Sequence, residues 1–298
     1  MAELACRYPG VHGLRIDWPE YPPYDLRSAL FDFSLHGQQA LRQQGVEPLA
    51  YGRLVMAQWT AWRTAAQAAA PQGASAVRAS LREAGWDAFF GAHGDGQPLW
   101  ASKRASVAAL LRAYRAALDT VPGPRRSLQP QVFPGPWSQW SGFAWDALAD
   151  TADAVGLKLY TMHWPMMARY WARDLVGPAP GPALDAVTAA MADFLGCCDT
   201  AAVDGARQHY PTPDQPHPVG AQAQRNKLQQ AQALAGSVPV ITYAHSYGPL
   251  ADVQARFALA VQASQQPGAS ARVWINRYGY LSDAKLAALG AVVQAARQ

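Results

Sequence analysis

Charged side chains are scarce in this chain, where they make up 15% of 298 residues and leave a formal net charge of only +4. The basic residues are scattered, and Lys103-Arg104 and Arg125-Arg126 are the only adjacent pairs. Proteins that bind nucleic acids usually cluster lysine and arginine on one surface. The sequence therefore predicts no nucleic-acid partner.

Cysteine is nearly absent, and no spacing typical of metal ligands is present. Cys6, Cys197 and Cys198 form no CxxC motif, so they indicate neither a disulfide framework nor a zinc site, and the adjacent pair is expected to be small core residues. The histidines show no HxH or HExxH spacing. No GxGxxG turn follows any predicted strand, which argues against a dinucleotide fold. We therefore expect no metal and no cofactor.

Long apolar runs are missing as well. No stretch reaches the roughly 18 apolar residues needed to cross a bilayer. The first residues, MAELACRYPG, have neither the basic start nor the apolar segment of a secretory signal. These absences predict a soluble, cytoplasmic protein without a membrane partner.

Five segments are typical of β-strands, and each is followed by a stretch that can be helical. The segments are 11–17, 127–133, 155–162, 238–245 and 271–278. Strands that alternate with helices imply parallel pairing in an α/β fold.

The connections between these strands are predicted to be helical. Two of them, 34–126 and 163–237, are long enough to be helical insertions, and the proline-rich segment 210–219 in the second is typical of a mobile loop or lid. Amphipathic patterns predict shorter connecting helices over 145–155, 252–264 and 282–296. Ser282 is the expected N-cap of the last one.

Each predicted strand has one apolar face and one polar-aromatic face. Leu157 and Leu159, for example, alternate with Lys158 and Tyr160, and side chains alternate along a strand. In a (β/α)8 barrel the apolar face meets the outer helices and the other face lines the axis, whereas a sheet covered on both sides shows apolar residues on both faces. We therefore predict a TIM (β/α)8-type barrel, built as one catalytic domain over residues 1–298.

Five strands are too few to close such a barrel, so the predicted barrel is incomplete. The alternatives are that three strands lie within the helical stretches, or that the first three strands are absent from this chain. The unclosed edge at 11–17 favours pairing with another chain, and the sequence therefore predicts that homo-oligomers can form.

The stretch GLRIDWPEYPPY, residues 13–24, places two carboxylates at the end of the first predicted strand. Chemistry in TIM barrels lies at the carboxyl ends of the strands. Asp17 ends this strand, and Pro19 is expected to turn the chain so that Glu20 returns over the same mouth. Neighbouring carboxyl groups have their pKa values pushed apart, which gives one acid and one anion, as cleavage of a glycosidic bond requires.

The motif HGLRIDWPEYP resembles the fourth-strand signature of family 18 glycoside hydrolases, which reads D-G-x-D-x-D-x-E and is often followed by Tyr-Pro. Asp17 and Glu20 match in kind, whereas His12 and Arg15 stand where acids are expected and Pro19 adds one residue between the Asp and the Glu. The resemblance implies that Glu20 is the general acid and that Asp17 orients the acetamido group of an N-acetylated sugar.

The wider chain resembles bacterial glycosyl-hydrolase-like barrels that carry an IDWPEYPPY-type strand followed later by a KLYTMHW strand. The resemblance covers 11–36, 127–170 and 238–283. It implies that the strand at 11–17 corresponds to the fourth strand of the complete barrel.

Aromatic and polar side chains gather at the ends of the predicted strands, as expected for a cleft that binds a carbohydrate. The candidate substrate-binding residues are Trp18, Tyr21, Gln131, Trp137, Tyr160, His163, Trp164, Tyr243, His245, Trp274 and Asn276. Each tryptophan can equally be core packing, since aromatic rings dominate core burial. Asp32, a third acid nearby, can equally cap the helix that follows it.

Lys158 lies between two leucines on an interior strand, where an unpaired charge would be costly. We predict an ion pair with Asp17; the alternative is a lysine of lowered pKa that forms a Schiff base, as in class I aldolases. The sequence thus predicts a glycoside hydrolase that acts on an oligo- or polysaccharide, with Asp17, Glu20 and Lys158 at its catalytic site. The alternatives are a Schiff-base lyase or aldolase, and a carbohydrate-binding module without turnover.

Overall fold

The computed structural model describes residues 1–200, 202–265 and 272–297. These residues form an α/β fold in which five parallel strands, in the order β1-β2-β3-β4-β5, curl into a half-barrel. The strands are β1 (Gly13–Ile16), β2 (Ser127–Val132), β3 (Val155–Leu159), β4 (Val240–His245) and β5 (Val273–Asn276). All five predicted strands are confirmed, although Ala271, at the start of the predicted fifth strand, lies outside the described residues.

The sheet is curled strongly enough to bring its two edge strands together. Arg15 of β1 places its guanidinium 4.0 Å from the ring centre of Trp274 in β5 and 4.9 Å from that of Tyr243 in β4. Lys158 is paired with Tyr243, and Tyr243 with Trp274, in the strand register. The predicted polar-aromatic face therefore lines the concave side, as in an incomplete TIM-type barrel.

The strands are connected by helices, including several in each of the two long connections. In chain order the α-helices are α1 (Ala2–Arg7), α2 (Leu26–Ala29), α3 (Leu35–Gln43), α4 (Pro48–Ala69), α5 (Ala74–Glu83), α6 (Trp86–Phe90), α7 (Gln97–Asp119), α8 (Trp137–Trp140), α9 (Leu148–Thr151), α10 (His163–Val176), α11 (Pro182–Phe194), α12 (Ala221–Ala235), α13 (Leu250–Ser264) and α14 (Asp283–Ala295). None of the helices in the described part of the chain combines the length and apolar character needed to cross a membrane.

Two of the three connecting helices match their predictions, and the third is shortened. Helices α13 and α14 lie where expected, and the Ser282 side chain caps α14. Before β3 the helical structure ends at Thr151, because Ala152 is extended with φ −120° and ψ 147°. The Asp153 carboxylate then accepts the backbone N–H of Leu128 at 2.8 Å. This hydrogen bond joins the segment before β3 to the start of β2.

The helical insertions close around one aromatic core on the outside of the sheet. Trp62 of α4 lies 4.9 Å, ring centre to ring centre, from Trp86 of α6, which lies at the same distance from Phe194 of α11. Trp140 of α8 stacks on Phe194 at 5.5 Å. The hydrophobic core that contains these rings also includes Leu157 of β3, so both insertions share a core with the sheet.

Lys103 of α7 joins the ends of two short helices inside the protein. Its buried ammonium donates to the carbonyls of Ser28, Ala29 and Trp140 at 3.1, 2.8 and 3.1 Å. The last carbonyls of a helix have no partner within it, and a lysine can supply one. Burial lowers the pKa of Lys103 to about 7, because the charged form is disfavoured away from water.

Lys227 of α12 likewise binds backbone carbonyls, and it joins the end of α11 to the segment after β2. Its ammonium donates to the carbonyls of Gly135 and Leu195, both at 2.7 Å, and the rings of Trp137 and Trp164 lie 4.5 and 5.2 Å away. Both tryptophans have no exposed surface. The prediction that they stack on a ligand is thereby corrected, since they enclose an interior ammonium through cation–π contacts.

Gly156 in β3 provides the space for the concave-face rings. A Cβ at this position would overlap ring carbon Cε2 of Tyr243 and lie 3.2 Å from Cγ of Gln131. Gly156→Ala is therefore expected to lower the free energy of unfolding by about 1–3 kcal/mol, because overpacking forces neighbouring side chains out of their preferred rotamers. Urea denaturation measures this change.

The matched control is Gly290→Ala in α14, where an added Cβ meets no atom within 4 Å. An alanine inside a helix is expected to raise the free energy of unfolding by about 0.5–1 kcal/mol relative to glycine. Equal effects of the two substitutions would contradict the close packing at Gly156.

Candidate functional site

The carboxyl ends of the five strands lie at one rim of the half-barrel, because all the strand pairs are parallel. This is the end at which TIM barrels carry their sites. We call the surface enclosed by the side chains at this rim the strand-end cleft. Contacts join the residues that form it, which are Asp17, Trp18, Phe133, Lys158, Tyr160, His163, His245 and Asn276.

Two residues with a left-handed backbone conformation lie on the two sides of the strand-end cleft. Trp18, shortly after β1, has a φ of 64°, and Arg277, immediately after β5, has a φ of 69°. No other non-glycine residue in the described ranges has a positive φ, and this conformation is costly for a residue with a Cβ. The chain turns at Trp18 rather than at Pro19, and Glu20 enters the interior. Glu20 is thereby buried beside the ion pair, and its predicted approach to the mouth of the barrel stays a prediction.

Asp17 and Lys158 form the predicted ion pair, with 2.9 Å between Oδ1 and Nζ. The Lys158 side chain is 2% exposed and that of Asp17 is 72% exposed, so a buried cation is joined to a carboxylate at the surface. The ammonium also lies 4.7 Å from the ring centre of Trp18 and 5.0 Å from that of Phe133. The rings of Trp18 and Phe133 and the carboxylate of Asp17 together compensate the buried charge of Lys158.

Glu20 is buried in the wall behind this ion pair. Its Oε1 accepts the backbone N–H of Phe133 at 2.7 Å, and its Oε2 accepts the hydroxyl of Ser141. Burial raises the pKa of Glu20 to about 7, against the opposing effects of Lys158 and the two hydrogen bonds. The Ser141 hydroxyl can instead donate to the carbonyl of Ser138 at 3.2 Å, so the wall also accommodates a protonated Glu20 that donates to Ser141.

Three polar side chains lie at the β3 and β5 ends of the strand-end cleft, those of Tyr160, His163 and Asn276. Burial, with Lys158 and Arg277 adding to it, lowers the pKa of His163 to about 4, and the Tyr24 hydroxyl lies 3.3 Å from its Nδ1. Asn276 donates its amide to the hydroxyl of Tyr160. At neutral pH these three side chains offer hydrogen bonds without a net charge.

The segment 208–220 packs against the β4 end of the strand-end cleft. The Tyr247 hydroxyl donates to the carbonyl of Pro211 at 2.8 Å, and the ring of Tyr210 lies 5.9 Å from that of His163. Burial lowers the pKa of His245 to about 3, and its Nδ1 accepts the backbone N–H of Tyr247 at 3.0 Å. The segment thus supplies an aromatic side to the cleft, and its mobility stays a prediction.

Other predicted binding residues lie on the concave face below the rim. Gln131 and Tyr243 are buried there, and Trp274 is 47% exposed beneath the Arg15 guanidinium. These side chains form the floor of the curl rather than its rim.

Tyr21 and Asp32 lie away from the strand-end cleft. The ring of Tyr21 faces Phe31 at 6.3 Å between ring centres. Asp32 accepts both the N–H and the hydroxyl of Ser34, and Ser34 is the N-cap of α3. The N-cap of α3 is therefore Ser34 and not Asp32, because the helix begins at Leu35, later than expected.

Several site residues were missed by the sequence interpretation. Ser141 and Phe133 hydrogen-bond to Glu20 from the segment after β2, and Arg277 directly follows β5. His217 contacts the Thr161 hydroxyl through Nδ1 at 2.7 Å. Its position inside the proline-rich segment 210–219 is the sequence feature that could have indicated it. No spacing in the sequence links the other three to the strand-end cleft.

None of the protein-family models, curated proteins or solved structures compared with this chain matches it. The functional conclusion therefore depends on the chemistry of the strand-end cleft itself.

Asp17→Asn is expected to lower the free energy of unfolding by about 1–3 kcal/mol at pH 7, because the buried Lys158 loses its charged partner. In a Lys158→Met background, where a long apolar side chain replaces the cation, the same substitution should have an effect below about 0.5 kcal/mol. Urea unfolding of the four proteins gives the coupling energy. A coupling near zero would show that the ion pair contributes nothing to the fold.

Glu20 makes the stability of the protein depend on pH. Its pKa is about 7 in the fold against an ordinary value of 4.5, so the folded state holds the proton more tightly. The stabilisation is complete below pH 4.5 and is lost as the pH rises through 7. Between pH 4.5 and 8 the native protein should therefore lose about 3 kcal/mol relative to Glu20→Gln, which has no titrating group here. Urea unfolding at several pH values measures the difference, and a constant difference would contradict the raised pKa.

Proposed function

We propose that the strand-end cleft binds a carbohydrate and that the protein is a glycoside hydrolase acting on an oligo- or polysaccharide. The observation that carries the proposal is the contrast between two neighbouring carboxyl groups. Asp17 is exposed and paired with Lys158, whereas Glu20 is buried with a pKa of about 7. Two carboxyl groups in such different surroundings provide one acid and one anion, the pair that glycoside hydrolysis uses.

Each carboxyl group takes one role in the proposed reaction. Protonated Glu20 donates its proton to the glycosidic oxygen as the bond to the anomeric carbon breaks, and Asp17 stabilises the positive charge that develops on the sugar. Water then adds to the anomeric carbon, and its proton returns to Glu20. For this transfer, Glu20 has to exchange its contact with Ser141 for one with the substrate. An incomplete glycoside-hydrolase-type barrel, with β1 as the counterpart of the fourth strand, is part of the proposal.

The surrounding residues would hold the sugar in place. Trp18 is 37% exposed and offers a ring face beside Asp17. Tyr160, hydrogen-bonded to Asn276, and neutral His163 can bond to sugar hydroxyl groups. A rigid, uncharged set of donors and acceptors fixes the orientation of a substrate without opposing the charge that forms during the reaction.

A carbohydrate-binding module without turnover is the second candidate, and one observation favours it. Both carboxyl oxygens of Glu20 are already engaged, by the N–H of Phe133 and the hydroxyl of Ser141. A Glu20 that keeps both contacts would support the wall and transfer no proton. The Schiff-base alternative has no comparable support, because Lys158 is buried and paired with Asp17.

The proposal is tested with a panel of nitrophenyl glycosides, N-acetylhexosaminides and uronides included. Release of nitrophenol by the native protein is expected, and Glu20→Gln should reduce it by about 100-fold or more, since general acid catalysis contributes factors of that size. The matched control is Glu83→Gln, which makes the same chemical change at an exposed position of α5 and should leave the rate unchanged.

The other outcomes separate the two candidates. Saturable sugar binding without any release would favour the binding module over the hydrolase. Release that survives Glu20→Gln, in a variant whose circular dichroism matches that of the native protein, would overturn the assignment of Glu20 as the acid.

A further inference from the structure

The first helical insertion carries an open groove that shares no lining residue with the strand-end cleft. The groove lies between α4 and the segment that runs from α2 to α3, and its volume is about 810 Å³. Most of its lining is apolar and includes Leu30, Phe33, Leu49, Met56 and Trp59. A cavity of this size, with a mainly apolar lining and a few polar groups, is typical of sites that bind small molecules.

Helix α4 has apolar side chains on two faces, and only one of these faces is covered. Val55, Trp62 and Ala66 are buried in the core. Leu49 and Met56 line the groove and are 65% and 62% exposed. Contiguous apolar surface that stays exposed marks binding sites, whereas single exposed apolar residues do not.

The charged side chains of the groove are all arginines. They are Arg27, Arg53 and Arg63, and within the described ranges no carboxylate joins them in the lining. Arg27 is paired with Asp174, with 2.8 Å between Nε and Oδ1. Arg53 and Arg63 have no ion-pair partner in the part of the chain that the structure describes. The groove therefore combines an apolar surface with an excess of positive charge.

Arg63 lies at the end of the groove that adjoins α10. Its Nε is 3.5 Å from the carbonyl of Leu175, and Asp174, the partner of Arg27, directly precedes Leu175 in α10. Both arginines are therefore anchored to the same turn of that helix. Because Arg63 makes this contact through Nε, the two terminal nitrogens of its exposed guanidinium are available to a ligand.

The apolar part of the groove extends away from Arg63 along α4. Trp59, Met56 and Leu49 follow one another in the lining, so the groove covers about 20 Å of the helix axis. Gly52 keeps the middle open, because it places no side chain between α4 and the ring of Phe33. A long apolar path with a cation at one end is complementary to an extended apolar chain that ends in an acidic group.

We propose that this groove binds an amphipathic anion from solution, an apolar chain that ends in one acidic group as in a fatty acid, and that Arg63 binds the acidic group. A guanidinium matches a carboxylate with two parallel hydrogen bonds. A second copy of the chain is a poor occupant, because a two-fold axis would bring the same arginines together. The site goes beyond the proposed glycoside hydrolase and does not depend on it.

The first test compares ligands that differ in chain length or in charge. Calorimetry with the full chain at pH 7 measures octanoate, decanoate and decanol below their aggregation concentrations. Decanoate is expected to bind about tenfold more tightly than octanoate, because each buried methylene contributes about fourfold. It is expected to bind about 10- to 100-fold more tightly than decanol, which has the same chain without the charge. Equal affinities in either comparison would overturn the proposal.

Gly52→Leu tests where the apolar chain lies. A Cβ at this position meets Cε1 of Phe33 at 3.5 Å, an ordinary contact, so the atoms beyond it occupy the groove. Leucine favours the interior of a helix over glycine, so the variant is expected to fold and to lose decanoate binding. The matched control Gly52→Ala adds the Cβ alone and should retain the binding. Full binding by Gly52→Leu would show that decanoate lies elsewhere.

Arg63→Gln tests the assignment of the acidic group. It is expected to remove the preference for decanoate over decanol and to leave the affinity for decanol unchanged. The matched control is Arg112→Gln, which makes the same change at an exposed position of α7 and should preserve the preference. A preference that is lost in Arg53→Gln and kept in Arg63→Gln would overturn the assignment of Arg63.

Other occupants of the groove give different results. A dimer in sedimentation experiments that Gly52→Leu converts to a monomer would place a second copy of the chain there. Binding to vesicles of anionic phospholipid, without binding of monomeric decanoate, would indicate a membrane surface. Either result would overturn the proposal and leave the proposed carbohydrate site untouched.

Discussion

The ion pair between Asp17 and Lys158 is the interaction on which the strand-end cleft depends. A lysine on the concave face of β3 is almost completely removed from water, and its charge requires a partner. The partner is the carboxylate at the end of β1, so the pair joins two strands that are separated by β2. Trp18 follows directly and places its ring over the same ammonium. The buried charge of Lys158 therefore fixes the end of β1, the turn after it and the position of the Trp18 ring.

The strands and the ion pair could be predicted from the sequence, whereas the position of Glu20 could not. Alternation with a period of two gave the concave face and paired Lys158 with the nearest carboxylate. The burial of Glu20 depends on the left-handed turn at Trp18 and on donors that come from the segment after β2. Trp137 and Trp164 were misplaced because an aromatic residue at a strand end has the same local pattern in a cleft and in a core.

In the proposed hydrolase, the buried carboxyl group of Glu20 represents a compromise between the stability of the fold and proton transfer to a substrate. A neutral, well-packed side chain in this wall would avoid the cost of a group that ionises near pH 7. The same burial gives the carboxyl group the proton affinity that an acid needs at neutral pH. The helical insertions contribute to this setting, because the aromatic core behind α8 keeps Ser141 and its neighbours fixed.

The lysines of this protein bond to other parts of the protein instead of remaining free on its surface. Lys103 and Lys227 bond to backbone carbonyls in the interior, Lys158 bonds to Asp17, and Lys285 bridges two carbonyls near the end of the chain. Arginine carries the remaining side-chain surface charge of the basic residues. An amine-acylating reagent or a lysine-specific protease would therefore find the three buried lysines, Lys103, Lys158 and Lys227, protected in the native state, and their modification would report the opening of the fold.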